Sequence, residues 1–505
     1  MAGRKQLGWL VAGLVAVSSV GVLGTELHVG PGGYATIQAA IDAAADGDTI
    51  IVAAGTYNLT GTINVNKPLT ILGAQANVDP RPSAGGRTGP ETLLTSTTTV
   101  FDIQAHNVTI NGFSIQTNIS NQGTNIIHDN NTSFTSRNAT VAYNIITNTG
   151  STMNEAVKIR CGEDPVIAYN YIYNIPSPGD AINFDRVTNG QIKYNEIINS
   201  GSENAAIYIY DSEYTWIVGN IVDTTTKNDG IKLGKKSSGN ASLSGGWIIG
   251  NLVTNTAQDG ITVYTSDVIV EGNTVTGATT ENGAIYLAFG ISNIVIRYNT
   301  IVDNTLATGK WGTPGGITIG SAVNASTVEI YGNTITGNYP VDVANMASGA
   351  PLLDATGNWW GQDTGPLPEQ IAGNVAYSPW LGNEPSEPVW TFVVAQAGPE
   401  LPAGYLQTGL DIARPGDTVL VTAGIYATAP RISKPLTLEG EPGATVQLGR
   451  SDWISIKASD VTIRGLTITG APSYWALEAG YMGAGPFRNI RLEGNTFLAG
   501  VVPIW

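Results

Sequence analysis

The chain has 505 residues, of which 62 are glycine and 13% are charged, and its formal net charge is −16. This acidic balance argues against nucleic acid as a partner, because no surplus of basic residues is available to neutralise phosphates. Hydrophobic residues make up 42% of the chain, which is enough for a core and is not typical of a disordered protein. Ordinary proteins contain about 25% charged residues, so this glycine-rich, charge-poor composition favours a β-solenoid.

Residues 1–24 predict an export signal. Arg4 and Lys5 precede an apolar run from Leu7 to Leu23, and the small residue Gly24 follows as a cleavage position. An uncleaved membrane anchor is the alternative interpretation. Because no later stretch is apolar enough to cross a bilayer, we expect a secreted or cell-surface protein.

Residues 36–44 have the apolar spacing of one amphipathic helix, with Thr36 as its N-cap. Residues 47–52 follow as a strand, and residues 67–73 open the next one. A helix at this place would cover the exposed edge of the sheets that follow it. We therefore predict an N-terminal capping helix.

From residue 108 onward, an asparagine recurs between two short alternating strands. Most steps between these asparagines are 22 to 26 residues, and two steps, of 31 and 34, hold insertions. Three strands with their turns fill such a step, which predicts one coil of a parallel β-helix stacked about 4.8 Å above the last. We expect the asparagines to take a left-handed turn at one corner and to stack amide on amide. The series is Asn144, Asn170, Asn195, Asn220, Asn251, Asn273, Asn299, Asn333 and Asn358.

A second repeated segment, called the second phrase below, supplies the third strand of seven coils. The first repeated segment, or first phrase, is the pair of strands around each asparagine. Alternation with period 2 places two positions of the second phrase inward, and a slip of one residue would turn them all outward. The predicted core columns are Val157, Ile182, Ile207, Ile231, Ile261, Ile285 and Ile317, and then Ile159, Phe184, Ile209, Leu233, Val263, Leu287 and Ile319. The residue before each phrase is small, and we expect it to face outward where another segment crosses close by. These are Ala156, Ala181, Ala206, Gly230, Gly260, Ala284 and Gly316.

The sequence pattern of residues 47–52 and 67–71 returns near the C-terminus. Residues 358–366 break the repeat and are expected to form a terminal coil, rather than an aromatic platform for sugars. Residues 416–421 and 434–438 then copy residues 47–52 and 67–71. We therefore predict a main β-helix over 25–382, a linker over 383–389 and a second, incomplete β-helix over 390–505. Its last coil is not followed by a segment like residues 358–366, so we expect self-association through that open coil.

These phrases resemble the right-handed parallel β-helix superfamily, which contains pectate lyases, polygalacturonases and many secreted surface proteins. The Asp-Gly-Ile strands at residues 229–231 and 259–261 resemble carbohydrate-binding and periplasmic copper-delivery β-helix repeats. The resemblance implies an all-β, pectin-lyase-like fold. It does not identify an activity, because unrelated functions share this fold.

The resemblance also implies that a substrate groove follows the strands of the second phrase. Tyrosine rings there would stack on sugar faces, and charged groups would bind hydroxyls or uronate carboxylates. An ordinary solvated sheet face is the alternative. The substrate-binding candidates are Asn183, Tyr208, Tyr210, Lys232, Tyr264 and Tyr286. The catalytic candidates are Lys158, Arg160, Asp185 and Asp211.

Two reactions fit these residue types. A polysaccharide lyase needs a cation against the uronate and a base for the neighbouring proton; Lys158, Arg160 or Lys232 would supply the first, and Tyr208 or Lys232 the second. A glycoside hydrolase needs two carboxylates roughly 5–10 Å apart, for which Asp185 and Asp211 are the pair. The polygalacturonase motifs are missing.

No metal ligand set stands out. The histidines His28, His106 and His128 lie outside the aligned columns and are interpreted as loop or cap residues rather than metal ligands. No cofactor is therefore predicted, and for Ca²⁺ we find no clear ligand cluster.

The sequence thus predicts a secreted or cell-surface β-helix protein with a structural, adhesive or glycan-binding role. A lyase or hydrolase acting on an acidic polysaccharide is the alternative. The expected partner is a polysaccharide or a cell-envelope glycan, with no nucleic acid and no membrane beyond the signal segment. Glycosylation is expected only if the host modifies Asn-X-Ser/Thr sites. These sites are Asn58, Asn107, Asn118, Asn130, Asn131, Asn138, Asn240 and Asn324.

Overall fold

The computed structural model describes residues 24–129, 136–234, 245–279, 282–305, 307, 313–385, 390–394, 405–470, 476–480 and 487–498. The predicted export signal lies outside these residues except for Gly24, and so do residues 499–505 at the predicted open coil. Among the described residues, no helix is long and apolar enough to cross a membrane.

Three long sheets, numbered here in the order in which each coil visits them, build most of the chain. Sheet 1 consists of Glu26–Val29, Thr49–Val52, Thr70–Leu72, Thr109–Asn111, Thr140–Ala142, Val166–Ala168, Gln191–Lys193, Thr215–Val218, Gly246–Ile249, Val268–Glu271, Ile294–Arg297, Val328–Tyr331, Leu353–Asp354 and Val375–Ala376. Sheet 2 consists of Gly55–Asn58, Thr92–Ser96, Ser114–Thr117, Ile145–Asn148, Tyr171–Ile175, Glu196–Ser200, Ile221–Thr225, Leu252–Thr254, Thr274–Thr276, Thr300–Val302 and Thr334–Thr336. Sheet 3 consists of Ile63–Val65, Phe101–Ile103, Ile127–Asp129, Val157–Arg160, Ile182–Asp185, Ala205–Tyr210, Asp229–Leu233, Ile261–Val263, Gly283–Leu287, Gly315–Ile319, Val341–Asn345 and Ile371–Ala372.

Each strand of these sheets pairs in parallel with the strand one coil away. In sheet 3, Ile182 pairs with Ile207 and Ile207 pairs with Ile231, so the three side chains stand in one file. All three are fully buried. The predicted parallel β-helix and its register are therefore confirmed.

The asparagine ladder is confirmed from Asn144 to Asn358. At each step the backbone N–H and the side-chain amide of one asparagine both donate to Oδ1 of the next, for example from Asn195 to Asn220 at 2.9 and 3.0 Å. The left-handed turn, however, belongs to the residue before each asparagine, such as Tyr194 at φ 55° and Gly219 at φ 62°. The expectation that asparagine itself is left-handed is wrong, because its side chain is used inside the ladder.

The column of small residues in sheet 3 faces inward, not outward as predicted. A Cβ on Gly260 would lie 2.3 Å from Cγ1 of the core residue Val275. The pairing of Ala205 with Asp229 and of Ile207 with Ile231 passes over Gly230, and the backbone N–H groups of Gly230 and Ile231 both donate to the next coil. This break in the alternation, called the bulge below, recurs at the same position in both paired strands and turns two successive residues inward.

Two α-helices precede equivalent strands. Helix α1, Ile37–Ala43, is capped by Thr36, whose hydroxyl accepts from the N–H of Ala39 at 3.1 Å, and helix α2 is Tyr405–Ile412. Lys67 donates to three carbonyls at the end of α1, and Lys434 does the same at the end of α2. The helix at residues 36–44 is thus confirmed within a residue, while its action as an edge cap stays a prediction.

The C-terminal part repeats the three-sheet arrangement on a smaller scale. Sheet 4 consists of Trp380–Leu381, Thr391–Val394, Thr418–Val421, Thr437–Gly440, Thr462–Arg464 and Arg491–Glu493. Sheet 5 consists of Gly424–Ala427, Ala444–Leu448, Thr467–Gly470 and Thr496–Phe497, and sheet 6 of Arg431–Ile432, Ile454–Ile456 and Leu477–Ala479. Most of its buried residues form a second hydrophobic cluster, while Trp380 and Val393 belong to the cluster of the main coils. The division into two domains with a linker at 383–389 stays a prediction, and residues 386–389 lie outside the described residues.

Three short 3₁₀ helices complete the described secondary structure. They are Pro82–Ala84, Ala325–Thr327 and Pro368–Gln370. The last one follows Trp360, whose side chain is fully buried. Burial makes Trp360 part of the core, in agreement with a terminal coil rather than a platform for sugars.

Candidate functional site

The outer face of sheet 3 carries one uninterrupted column of polar side chains. Strand pairing brings eight residues into register, each one coil, about 4.8 Å, from the next. In this outer column stand Asp102, His128, Lys158, Asn183, Tyr208, Lys232, Thr262 and Tyr286. Four of the predicted substrate-binding residues therefore share it with the catalytic candidate Lys158.

A second, shorter column runs beside the first. Arg160 pairs with Asp185, and Asp185 pairs with Tyr210. Asp211 follows directly, buried and in a left-handed conformation at φ 47°. The ring of Tyr264 lies beside that of Tyr286, with the ring centroids 6.4 Å apart.

His128 belongs to the outer column, so its interpretation as a loop or cap residue is wrong. It lies in strand Ile127–Asp129, and its Nε2 is 3.3 Å from a carboxylate oxygen of Asp102. The amide of Asn125 lies 3.2 Å from its Nδ1. Burial tends to raise the pKa of Asp102, but the hydrogen bonds and charge of His128 and the amide of Gln104 outweigh it and lower that pKa. Asp102 and Asn125 thus orient the imidazole of His128 at one end of the column.

Sequence reasoning missed a set of carboxylates that lies beside this column. Each one comes directly before a small residue of the bulge, which turns the small residue inward and leaves the acid beside the outer column. They are Glu155, Asp180, Asp229 and Asp259. The signal that could have found them is the repeated acid-small-aliphatic order within the second phrase.

Two of these carboxylates, together with Asp185, neutralise the cations of the face. Lys158 is 2.9 Å from Glu155, and Lys232 is 3.2 Å from Asp229. Asp185 contacts two guanidiniums, those of Arg160 and Arg186, at 3.0 Å each. The contact to Arg160 is an ion pair whose angle departs from that of a hydrogen bond.

Burial raises the pKa of several acidic groups in the coils from Tyr208 to Tyr286. Asp229 and Asp259 both contact the hydroxyl of Thr262, at 3.0 and 3.2 Å. Burial, followed by the charge of Asp229, raises the pKa of Asp259 to about 8. Burial also raises the pKa of Tyr208 and Tyr264, and nearby carboxylates add to it. Both phenols therefore keep their protons at neutral pH and can donate a hydrogen bond to a ligand.

Asn183 is the exception among these paired groups. The residue is only 4% exposed, and its Oδ1 has no hydrogen-bond partner among the described residues. Asp180, three residues before Asn183, instead accepts from the backbone N–H groups of Asn204 and Ala205 at 3.1 and 3.3 Å. A buried polar atom without a partner costs about 1–3 kcal/mol, so a ligand that bonds here recovers that energy.

No metal site emerges from the described part of the chain. Within it, no group of three or more His, Cys, Asp or Glu side chains is arranged to hold a metal ion. The absence of a cofactor stays a prediction.

Comparisons with known proteins address the fold. The family described as "Right handed beta helix region" matches residues 237–356. No curated protein matches the chain. Together with the three parallel sheets, the family match defines the chain as a right-handed parallel β-helix.

Several solved structures resemble the chain at low identity. The A-module of the mannuronan C-5 epimerase AlgE6 from Azotobacter vinelandii is 14% identical, with a TM-score of 0.44, over 92% of this chain and 94% of that one. The PL6 family alginate lyase AlyGC is 15% identical, with a TM-score of 0.38, over 95% and 80%. The tailspike of E. coli bacteriophage HK620, in complex with a hexasaccharide, is 10% identical, with a TM-score of 0.39, over 90% and 73%.

Proposed function

We propose that the protein is secreted or exposed at the cell surface and binds an acidic polysaccharide along the outer face of sheet 3. The observation that carries this proposal is the buried Oδ1 of Asn183, which has no hydrogen-bond partner among the described residues and lies in the middle of a continuous polar column. A column that extends over eight coils suits a chain-like ligand better than a single small molecule. An ordinary solvated face would leave its polar groups paired or exposed to water.

The chemistry of the column favours a ligand with both hydroxyls and carboxylates. The half-buried rings of Tyr208 and Tyr286 offer faces and phenol donors to sugar rings. Lys158 and Lys232 each hold a single carboxylate and retain further N–H donors for a uronate group. The ammonium of Lys232 also lies over the ring of Tyr264, 5.2 Å from its centroid, and this cation–π contact helps hold the ammonium on the face.

Binding can be measured by titration calorimetry with oligogalacturonide and alginate oligomers, and with a neutral β-glucan for comparison. We expect Asn183→Ala to weaken binding of the acidic oligomers about fivefold or more, because a hydrogen bond is worth about 1 kcal/mol. Lys193→Ala is the matched control, since Lys193 lies on sheet 1 and its ammonium bonds Gln191, at 2.7 Å, and no other described residue. Equal affinity of Asn183→Ala and the control would remove this site.

A polysaccharide lyase is the second candidate, and the Asp102–His128 pair favours it. In a β-elimination, Nδ1 of His128 would remove the proton next to the uronate carboxylate after the sugar displaces the amide of Asn125 from that nitrogen, while Lys158, one coil away, neutralises the carboxylate. The C–O bond to the leaving sugar breaks, and solvent returns a proton to its oxygen. Tyr208 lies three coils from His128 and cannot act on the same sugar.

The other predicted bases are less suited to this reaction. The ammonium of Lys232 is held by Asp229 at 3.2 Å, and the phenol of Tyr208 keeps its proton because burial raises its pKa. Hydrolysis by Asp185 and Asp211 is also less favoured, because both oxygens of Asp185 are taken by Arg160 and Arg186.

Lyase activity produces an unsaturated sugar that absorbs in the near ultraviolet. We expect His128→Gln to lower such activity about 100-fold, the usual contribution of a general base. His28→Gln is the control, because its side chain is 63% exposed and lies outside the column. Binding without activity on any acidic polysaccharide would retain the binding function and reject the lyase.

A further inference from the structure

A cavity of about 400 Å³ lies on sheet 6, far along the chain from the outer column of sheet 3. Binding pockets for small ligands usually measure about 300–1,000 Å³, so one or two sugar rings fit. Its walls come mainly from the strands of sheet 6 and the loop before the second strand. The side chains that matter are Arg431, Asp452, Trp453, Ser455, Lys457 and Glu478.

Strand pairing builds the floor of this cavity. Arg431 pairs with Ser455, and Ser455 pairs with Glu478, so a cation, a hydroxyl and a carboxylate stand in one file on consecutive coils. Glu478 is 4% exposed. Because the three positions alternate with the buried Ile432, Ile456 and Leu477, the core fixes their direction.

The cations of this cavity differ from those of sheet 3. Lys158, Arg160 and Lys232 are all paired with carboxylates. In contrast, Arg431 and Lys457 form no ion pair with any other described residue, and both are exposed. An anionic group can therefore bind them without displacing a protein carboxylate, which lowers the cost of binding.

Trp453 supplies the apolar part of the cavity. Its side chain is exposed by 38%, which is unusual for the largest aromatic residue. Asp452 beside it is held by the N–H of Gly449 at 3.0 Å, so the start of the tryptophan loop is fixed. An exposed ring next to two cations and a carboxylate is an arrangement that binds the apolar face, the carboxylate and the hydroxyls of a sugar acid.

We propose that this cavity is a second, separate binding site for a carboxylated sugar, with the ring on Trp453, the carboxylate on Arg431 and Lys457, and hydroxyls on Glu478. The site does not depend on the function proposed for sheet 3. It would give the full chain two binding sites for one polysaccharide, which raises the apparent affinity when both engage the same strand.

Titration calorimetry of the full chain with a galacturonic acid tetramer tests the proposal. We expect Arg431→Gln with Lys457→Gln, and separately Trp453→Ala, to weaken binding at this site at least tenfold. Asn183→Ala should leave binding at the sheet 6 cavity unchanged. A failure of the site proposed on sheet 3 can therefore be told apart from a failure of this one. Arg491→Gln is the matched control, because Arg491 is an exposed arginine on sheet 4.

The neutral tetramer of glucose serves as the comparison ligand. Loss of binding for the acid but not for the neutral sugar in the double glutamine variant supports the carboxylate contact. Unchanged acid binding in both variants, with circular dichroism showing intact folding, would overturn the proposal. Equal binding of the two sugars by the wild-type chain would also overturn it.

Discussion

Substituting Asn220 with alanine would remove one rung of the asparagine ladder in the middle of the solenoid. The side chain of Asn220 is fully buried and makes four hydrogen bonds. Its Oδ1 accepts from the backbone and side-chain nitrogens of Asn195 at 2.9 and 3.0 Å. Its Nδ2 donates to the carbonyl of Ile192 at 2.9 Å and to Oδ1 of Asn251 at 3.0 Å.

The size of the effect follows from these four bonds. A hydrogen bond contributes about 1 kcal/mol net, and a buried donor left without its acceptor costs about 1–3 kcal/mol. Asn220→Ala should therefore lower the free energy of unfolding by about 4 kcal/mol. The backbone N–H of Asn220 keeps its own bond to Asn251 at 2.9 Å, so the damage is expected to centre on the coil of Asn195.

Urea unfolding and hydrogen exchange together measure this effect. We expect a lower urea midpoint and at least tenfold faster exchange of the amide of Asn195, which loses its acceptor. Asn199→Ala is the control, because Asn199 is exposed and its side chain bonds Asn174, at 2.8 Å, and no other described residue. Its effect should stay within about 0.5 kcal/mol. A loss below about 1 kcal/mol for Asn220→Ala, or unchanged exchange at Asn195, would refute the reasoning.

Two further predictions concern sheet 3. Burial and the charge of Asp229 raise the pKa of Asp259 to about 8, so the folded chain holds a proton that the unfolded chain loses near pH 4. Stability therefore falls as pH rises from about 4 to 8, and Asp259→Asn should raise the urea midpoint at pH 8 but hardly at pH 4; an equal rise at both would contradict this. Gly260→Ala should destabilise by about 1–3 kcal/mol, because its Cβ would lie 2.3 Å from Val275. Gly61→Ala, with open space around it, is the control, and equal urea midpoints for the two variants would contradict the clash.

The solenoid could be predicted because its information is local and repeated. A strand with one buried face permits only one register, so the alternation around Ile182, Ile207 and Ile231 determined which residues stack. The asparagine spacing determined where each coil turns. Both features depend on backbone periodicity, which a sequence displays directly.

The bulge could not be predicted, because it breaks that periodicity. Period 2 assigns Asp229 inward and Gly230 outward, and the structure has the reverse, since the pairing passes over Gly230. His128 was missed for a related reason. Its strand, Ile127–Asp129, is preceded by Ile126 rather than by a small residue, so it did not align with the other coils.

The bulge also determines which groups of sheet 3 are left for a ligand. It places each acid beside the side chain three residues later, and where that side chain is a lysine the two pair, as in Glu155 with Lys158. Where the third residue is Asn183, the acid Asp180 turns to the backbone of the next coil instead. The Oδ1 of Asn183 is thereby left without a partner among the described residues, between Lys158 on one side and Tyr208 on the other. The position of a ligand along this face therefore follows from a local exception to the repeat, and not from the repeat itself.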